Sequence, residues 1–118
     1  MNTIAQPTVF VVQENPNLNY NPAEKFGEIK FLTYDEFRPS RNSLRNIDLV
    51  SDITKAMAAF DPDKDYILLS GNPIMMGYVA HLALSKAGYA KFLWYSRNDQ
   101  DYIEVAFCPA LLLSQAAQ

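Results

Sequence analysis

The chain has 118 residues, of which 49% are hydrophobic, and this predicts one domain spanning residues 1–118 with one core. Its net charge of −3 argues against general nucleic-acid binding and against attraction to anionic membranes. Cys108 is the only cysteine, so no intrachain disulfide is expected and a reducing cytosol is favoured. The N-terminus lacks a signal-peptide pattern, and no stretch approaches the roughly 18 apolar residues of a membrane helix.

Two strands are predicted near the N-terminus. Residues 1–7 are expected to be a loose lead-in, and the β-branched and aromatic run Val9–Val12 is typical of an interior strand. Glu14–Gly27 has the Asn and Pro content of a loop, with one helical turn expected over Pro22–Phe26. Glu28–Thr33 alternates partly and predicts a second strand.

A helix follows a second long connection. Ser43 or Asn46 is expected to cap its N-terminus, and Asp61 with the following proline ends it. The apolar positions that recur at helical spacing are Leu49, Ile53, Met57 and Phe60.

The next stretch reads as strand, turn and helix in immediate succession. The continuous apolar run Tyr66–Leu69 suits a strand covered on both sides. Asn72 is a good N-cap, Pro73 fits the first helical position, and Gly88 closes the helix. This helix is apolar almost all round, which predicts that it is largely buried or packs against a partner.

The C-terminal part predicts a hairpin of Lys91–Arg97 and Tyr102–Phe107, followed by a tail over residues 109–118. Pairing Arg97 with Tyr102 places Trp94 opposite Val105, and one side of the hairpin is then apolar. The tail contains ALLL and is interpreted as a short helix whose leucines need covering.

The element order is therefore β-β-α-β-α-β-β in a single small α/β domain. Right-handed crossovers make the second, third and fourth strands parallel, and the last strand forms a C-terminal antiparallel hairpin. The helices are expected to pack on this mixed sheet. The position of the first strand is left open.

One candidate site is an anion or nucleotide pocket. Ligands in such sheets bind beyond the carboxyl ends of parallel strands, where arginine forks and a helix N-terminus attract phosphate. The residues proposed for it are Arg38, Arg41, Arg45, Ser70, Gly71 and Asn72. The alternative interpretation is turn chemistry after the third strand together with surface ion pairs, because no glycine-rich phosphate motif is present.

A second candidate is a protein interface formed by the outer side of the second helix and by the tail. Its residues are Ile74, Tyr78, His81, Leu111, Leu112 and Leu113. His81 has no metal-ligand spacing and no nucleophile or acid beside it, so the pattern nominates no metal site, no catalytic residue and no cofactor. The aromatic residues of the hairpin could suggest base stacking, but without a basic surface around them they are interpreted as core and edge packing residues, an interpretation that an exposed Trp94 would change.

Three motifs carry a family resemblance: VFVVQE at Val9–Glu14, PAEKFGE at Pro22–Glu28 and LLSGNP at Leu68–Pro73. The chain resembles a group of small proteins encoded by tailed bacteriophages, which has no established activity. The resemblance implies a viral protein that acts in the host bacterial cytoplasm during infection. It implies no catalytic residue.

Two functional hypotheses follow. The first is a non-enzymatic bacteriophage accessory protein that binds a host or viral protein or associates with itself as a homo-oligomer. The alternative is a small nucleotide- or phosphate-binding domain, used for sequestration or hydrolysis, that relies on the arginine-rich loop and the helix N-terminus. Membrane and general nucleic-acid partners are not expected.

Overall fold

In a computed structural model, which describes residues 6–33 and 44–109, the predicted strands form one five-stranded sheet in the order β2-β1-β3-β4-β5. The first four strands are parallel, and β5 is antiparallel to β4. This confirms the predicted element order and the C-terminal hairpin. The strands are β1 Thr8–Val11, β2 Glu28–Phe31, β3 Tyr66–Leu68, β4 Ala90–Ser96 and β5 Asp101–Phe107.

β1 occupies the position that the sequence left open, between β2 and β3. Val9 pairs with Ile29 on one side and Tyr66 on the other, and Val9 and Val11 are fully buried. A strand paired on both edges and covered on both sides has no solvent-facing position, which explains its continuous apolar run.

Helices α1, Leu44–Met57, and α2, Pro73–Ala87, pack on one side of the sheet, which we call the helix side. The crossover α1 joins β2 to β3, and α2 joins β3 to β4. Ile53, Val79 and Phe10 belong to the core between these helices and the sheet. Of the two predicted caps of α1, Asn46 is wrong, because the helix already begins at Leu44 and Asn46 lies inside it. The other, Ser43, lies outside the described residues.

The ends of α2 form as predicted. The Asn72 side chain accepts a hydrogen bond from the Ile74 N–H at 2.9 Å, and Pro73 is the first helical residue. Gly88 ends the helix with φ of 79°, in the left-handed region. The turn chemistry of Asn72, Pro73 and Gly88 therefore sets both ends from local sequence alone.

The opposite side of the sheet, the loop side, is covered by the long segment between β1 and β2. Within it, the expected helical turn forms as a 3₁₀ turn, Asn21–Lys25. Tyr20 and Ala23 pack there against Val11 and Leu68 in a second core. A loop thus replaces the helix that would otherwise cover this side.

The hairpin register differs from the prediction by two residues. Tyr95, instead of Arg97, pairs with Tyr102, and Trp94 faces Ile103 instead of Val105. A two-residue shift keeps every side chain on its predicted side, because side chains alternate with a period of two. The predictions for residues 1–5, the connection 34–43 and the tail 110–118 lie outside the described residues.

Candidate binding surface and the turn after β3

The carboxyl ends of β1 and β3 meet where the chain order of the sheet reverses, the usual place for a ligand in such folds. The side chain of Gln13, just after β1, crosses this point. Its Oε1 accepts a hydrogen bond from the Asn72 N–H at 3.0 Å. Gly71 has φ of +103°, and a Cβ there would lie 2.5 Å from the Gln13 Cβ. Gly71 therefore permits the close approach of Gln13.

Ser70 is buried beside this point and is held by Tyr20. The Tyr20 hydroxyl and Ser70 Oγ share a hydrogen bond of 2.7 Å, and the Asn15 N–H donates to the same hydroxyl at 2.8 Å. The tyrosine thus fastens the long loop to the end of β3. Sequence reasoning missed Gln13 and Tyr20 because it did not place β1 next to β3.

The anion-pocket hypothesis stays a prediction. Arg38 and Arg41 lie outside the described residues, and Arg45 lies in the first turn of α1 with its side chain undescribed. At the turn itself, the N–H of Asn72 donates to Gln13 and the N–H of Ile74 donates to the Asn72 side chain. Two donors that an anion would use are therefore already engaged.

The α2 residues of the predicted interface lie along one side of the helix, because they are spaced four and three residues apart. Ile74 is 66% exposed and His81 is also exposed. Tyr78 is half-buried, and its hydroxyl shares a 2.7 Å hydrogen bond with Thr54 of α1. Leu111, Leu112 and Leu113 lie outside the described residues.

A larger apolar surface lies on the helix side of the hairpin. We call this surface the hairpin face, and its four residues are Trp94 of β4 and Ile103, Val105 and Phe107 of β5. They lie next to one another because Trp94 pairs with Ile103 and the other two follow along β5. Trp94 is 61% exposed and Phe107 is 53% exposed. Ile103 and Val105 are also exposed. Contiguous exposed apolar residues of this kind mark interaction sites.

The hairpin face lies beside the core that α1 and α2 form with the sheet. The strand residues of that core come from β1, β3 and β4 and not from β5. The crossovers place α1 and α2 over the parallel strands, so these two helices leave the hairpin face exposed.

A groove of about 940 Å³ runs along this boundary. Ala80 and Leu84 of α2 line it together with Phe92, Trp94, Val105 and Phe107 of the hairpin. The lining also includes Leu18 of the long loop and, from the loop side of the sheet, Leu93, Tyr95 and Tyr102. The groove is therefore apolar and bounded by a helix on one side.

The loop side of the hairpin differs in carrying charged contacts. The Lys91 ammonium lies 4.4 Å from the Tyr66 ring centre, and burial together with a hydrogen bond to Glu104 raises the pKa of Tyr66. Lys25 forms an ion pair with Asp101 at the start of β5, which lowers the pKa of Asp101. These contacts hold the hairpin to β3 and to the long loop, and they all lie on the side opposite the hairpin face.

The comparisons with known proteins agree with the resemblance in the sequence. A family model described as Phage Pam3 gp32-like protein matches residues 7–109. The chain belongs to this family. The family match confirms the resemblance to small phage-encoded proteins, and it covers every strand and helix described above. No curated protein and no solved structure matches the chain.

The described residues of this family member contain no group of three His, Cys, Asp or Glu side chains placed to hold a metal ion. Every buried side-chain nitrogen or oxygen in the same ranges has a hydrogen-bond partner. Within residues 6–33 and 44–109, no helix is both long and apolar enough to cross a membrane.

Proposed function

We propose that this phage protein is a non-enzymatic accessory protein that binds a host or viral protein in the cytoplasm of the infected bacterium. The observation that carries the proposal is the exposed hairpin face beside α2. Exposure of its apolar area to water is unfavourable, and a bound partner would remove that area from water.

The groove fits an amphipathic helix of the partner. Leu84 of α2 and Phe92 of β4 both line it, so a docked helix would lie beside α2 on the sheet. Such a helix would bury its apolar side on Trp94 and Phe107, aromatic residues of the type that dominates binding energy at interfaces.

Capture from phage-infected bacteria tests the proposal. The immobilised chain is compared with its Trp94→Lys variant, which places a charge on the hairpin face, and with Ile47→Lys, which changes an equally exposed residue of α1. We expect mass spectrometry to identify a protein retained by the wild type and by Ile47→Lys but not by Trp94→Lys. Equal retention by all three chains would refute the proposal.

Trp94 also provides a direct readout, since it is the only tryptophan. We expect acrylamide to quench its fluorescence strongly in the isolated protein and weakly after the purified partner is added. If Trp94 is already protected in the isolated monomer, then the chain covers its own hairpin face and the proposal fails.

A further inference from the structure

β5 is an edge strand whose own residues lack the usual protection. Among the described residues, no strand pairs with its outer edge, and its ladder with β4 is continuous from Asp101 to Phe107. Natural proteins block such edges with lysine, proline, a bulge or a very short strand. β5 has seven residues with neither lysine nor proline, and its only charge between the ends is Glu104.

The opposite edge of the sheet shows what protection looks like in this protein. β2 has only four residues, and its exposed positions are Glu28 and Lys30. Charged side chains on a short edge strand discourage pairing with another chain. The two edges therefore differ in the property that decides whether a second sheet can add to them.

We propose that β5 pairs with β5 of a second copy, antiparallel about a two-fold axis through Val105. The result is one ten-stranded sheet with all four helices on the same side. The role of this dimer rests on the proposed function, because pairing joins the two hairpin faces into one continuous surface for the partner. Self-complementary contacts of this type are the commonest way in which identical chains associate.

The register follows from the side chains. Directly opposed residues lie on the same side of a sheet, so the axis must pass through a residue. An axis at Glu104 would oppose two carboxylates, and an axis at Ile103 would place Asp101 against Val105 of the second copy. An axis at Val105 instead opposes Ile103 with Phe107 and Glu104 with Ala106, so apolar residues meet and the carboxylates stay apart.

Sedimentation velocity of the full chain over a concentration series tests whether the dimer exists. We expect a dimer for the wild type and for Ile47→Lys. Val105→Lys opposes two ammonium groups at the axis and should weaken association about tenfold or more. Val105 is exposed in the single chain, so circular dichroism should show that the variant folds. A wild type that stays monomeric at every concentration, or a dimer unaffected by Val105→Lys, would overturn the proposal.

Disulfide trapping tests the register. In a Cys108→Ser background, Val105→Cys brings two new thiols opposite each other, at a Cα separation of about 4.5–5.5 Å that suits a disulfide. We expect a covalent dimer after mild oxidation. Ile103→Cys is the matched control, since its thiols would be four residues apart along the strands and should not link. Trapping by Ile103→Cys and not by Val105→Cys would refute the axis at Val105.

The two proposals fail separately. Trp94 lies on β4, away from the pairing edge, so Trp94→Lys should lose the captured partner and keep the dimer. A monomer that still captures its partner through the hairpin face would refute the dimer alone. A dimer whose Trp94→Lys variant still captures the same partner would refute the docking surface alone.

Discussion

Gln13 and Asn72 are joined by a 3.0 Å hydrogen bond that links the end of β1 to the first turn of α2. The bond requires Gly71 between β3 and the helix, because a side chain there would collide with Gln13. The backbone of Gly71, at φ of +103°, is also one that side chains with a Cβ rarely adopt. Space and backbone conformation thus both specify glycine.

We predict that Gly71→Ala lowers the free energy of unfolding by about 2–3 kcal/mol, through backbone strain and the collision with Gln13. Gly77→Ala is the matched control. Gly77 lies on the exposed side of α2 with nothing within 4 Å of an added Cβ, so this change should stabilise the protein by about 0.5–1 kcal/mol. Urea denaturation measures both. Equal effects of the two substitutions would contradict the role assigned to Gly71.

Local chemistry made part of this region predictable. The cap at Asn72, the proline after it and the left-handed Gly88 depend on neighbours in sequence, and all three form as expected. Gln13 could not be assigned, because its partner is 59 residues away and depends on β1 lying beside β3. The anion site was less predictable still, since it depends on loop arginines outside the described residues.

The hairpin shows a different limit. Both registers keep Trp94 and Val105 on the same side, so the apolar pattern alone does not choose between them. The choice of register depends on the turn, where Gln100 adopts a positive φ of 50°. A glutamine does not predict this backbone conformation. Likewise the sequence predicts an apolar row on the hairpin, but its exposure depends on how far the helix layer extends.

The Tyr20 hydroxyl is predicted to stabilise the attachment of the long loop. Tyr20→Phe leaves the buried Ser70 Oγ and the Asn15 N–H without this partner, and should cost about 1–3 kcal/mol. Tyr95→Phe, at an exposed site, should change stability by less than about 0.5 kcal/mol. In the Tyr20→Phe background, Ser70→Ala should cost less than it does alone, because the partner is already lost. Strict additivity in urea denaturation would refute the pairing.

Lys86 of α2 is predicted to act as a C-terminal cap for α1. Its ammonium donates to the carbonyl oxygens of Met57, Ala58 and Phe60 at 2.7–3.0 Å. A positive charge at this end also complements the helix dipole. Lys86→Met should therefore destabilise the protein by about 1 kcal/mol in thermal unfolding. Lys55→Met, an exposed lysine in the last turn of α1, is the control and should have an effect below about 0.5 kcal/mol.

The Lys25–Asp101 ion pair predicts a pH dependence at the junction of the 3₁₀ turn and β5. Lys25 lowers the folded-state pKa of Asp101 below its usual 3.8, so the folded protein holds this proton less readily than the unfolded chain. The resulting stabilisation is present above pH 3.8 and is lost as the pH falls through the lowered folded-state pKa. In an NMR titration of the Asp101 carboxyl carbon, Lys25→Met should return the midpoint towards 3.8.

High salt should shift the wild-type midpoint of Asp101 the same way, because the ion pair is exposed and therefore screened. A midpoint unchanged by Lys25→Met would show that the backbone N–H of Tyr102, the other donor to Asp101, sets its pKa instead.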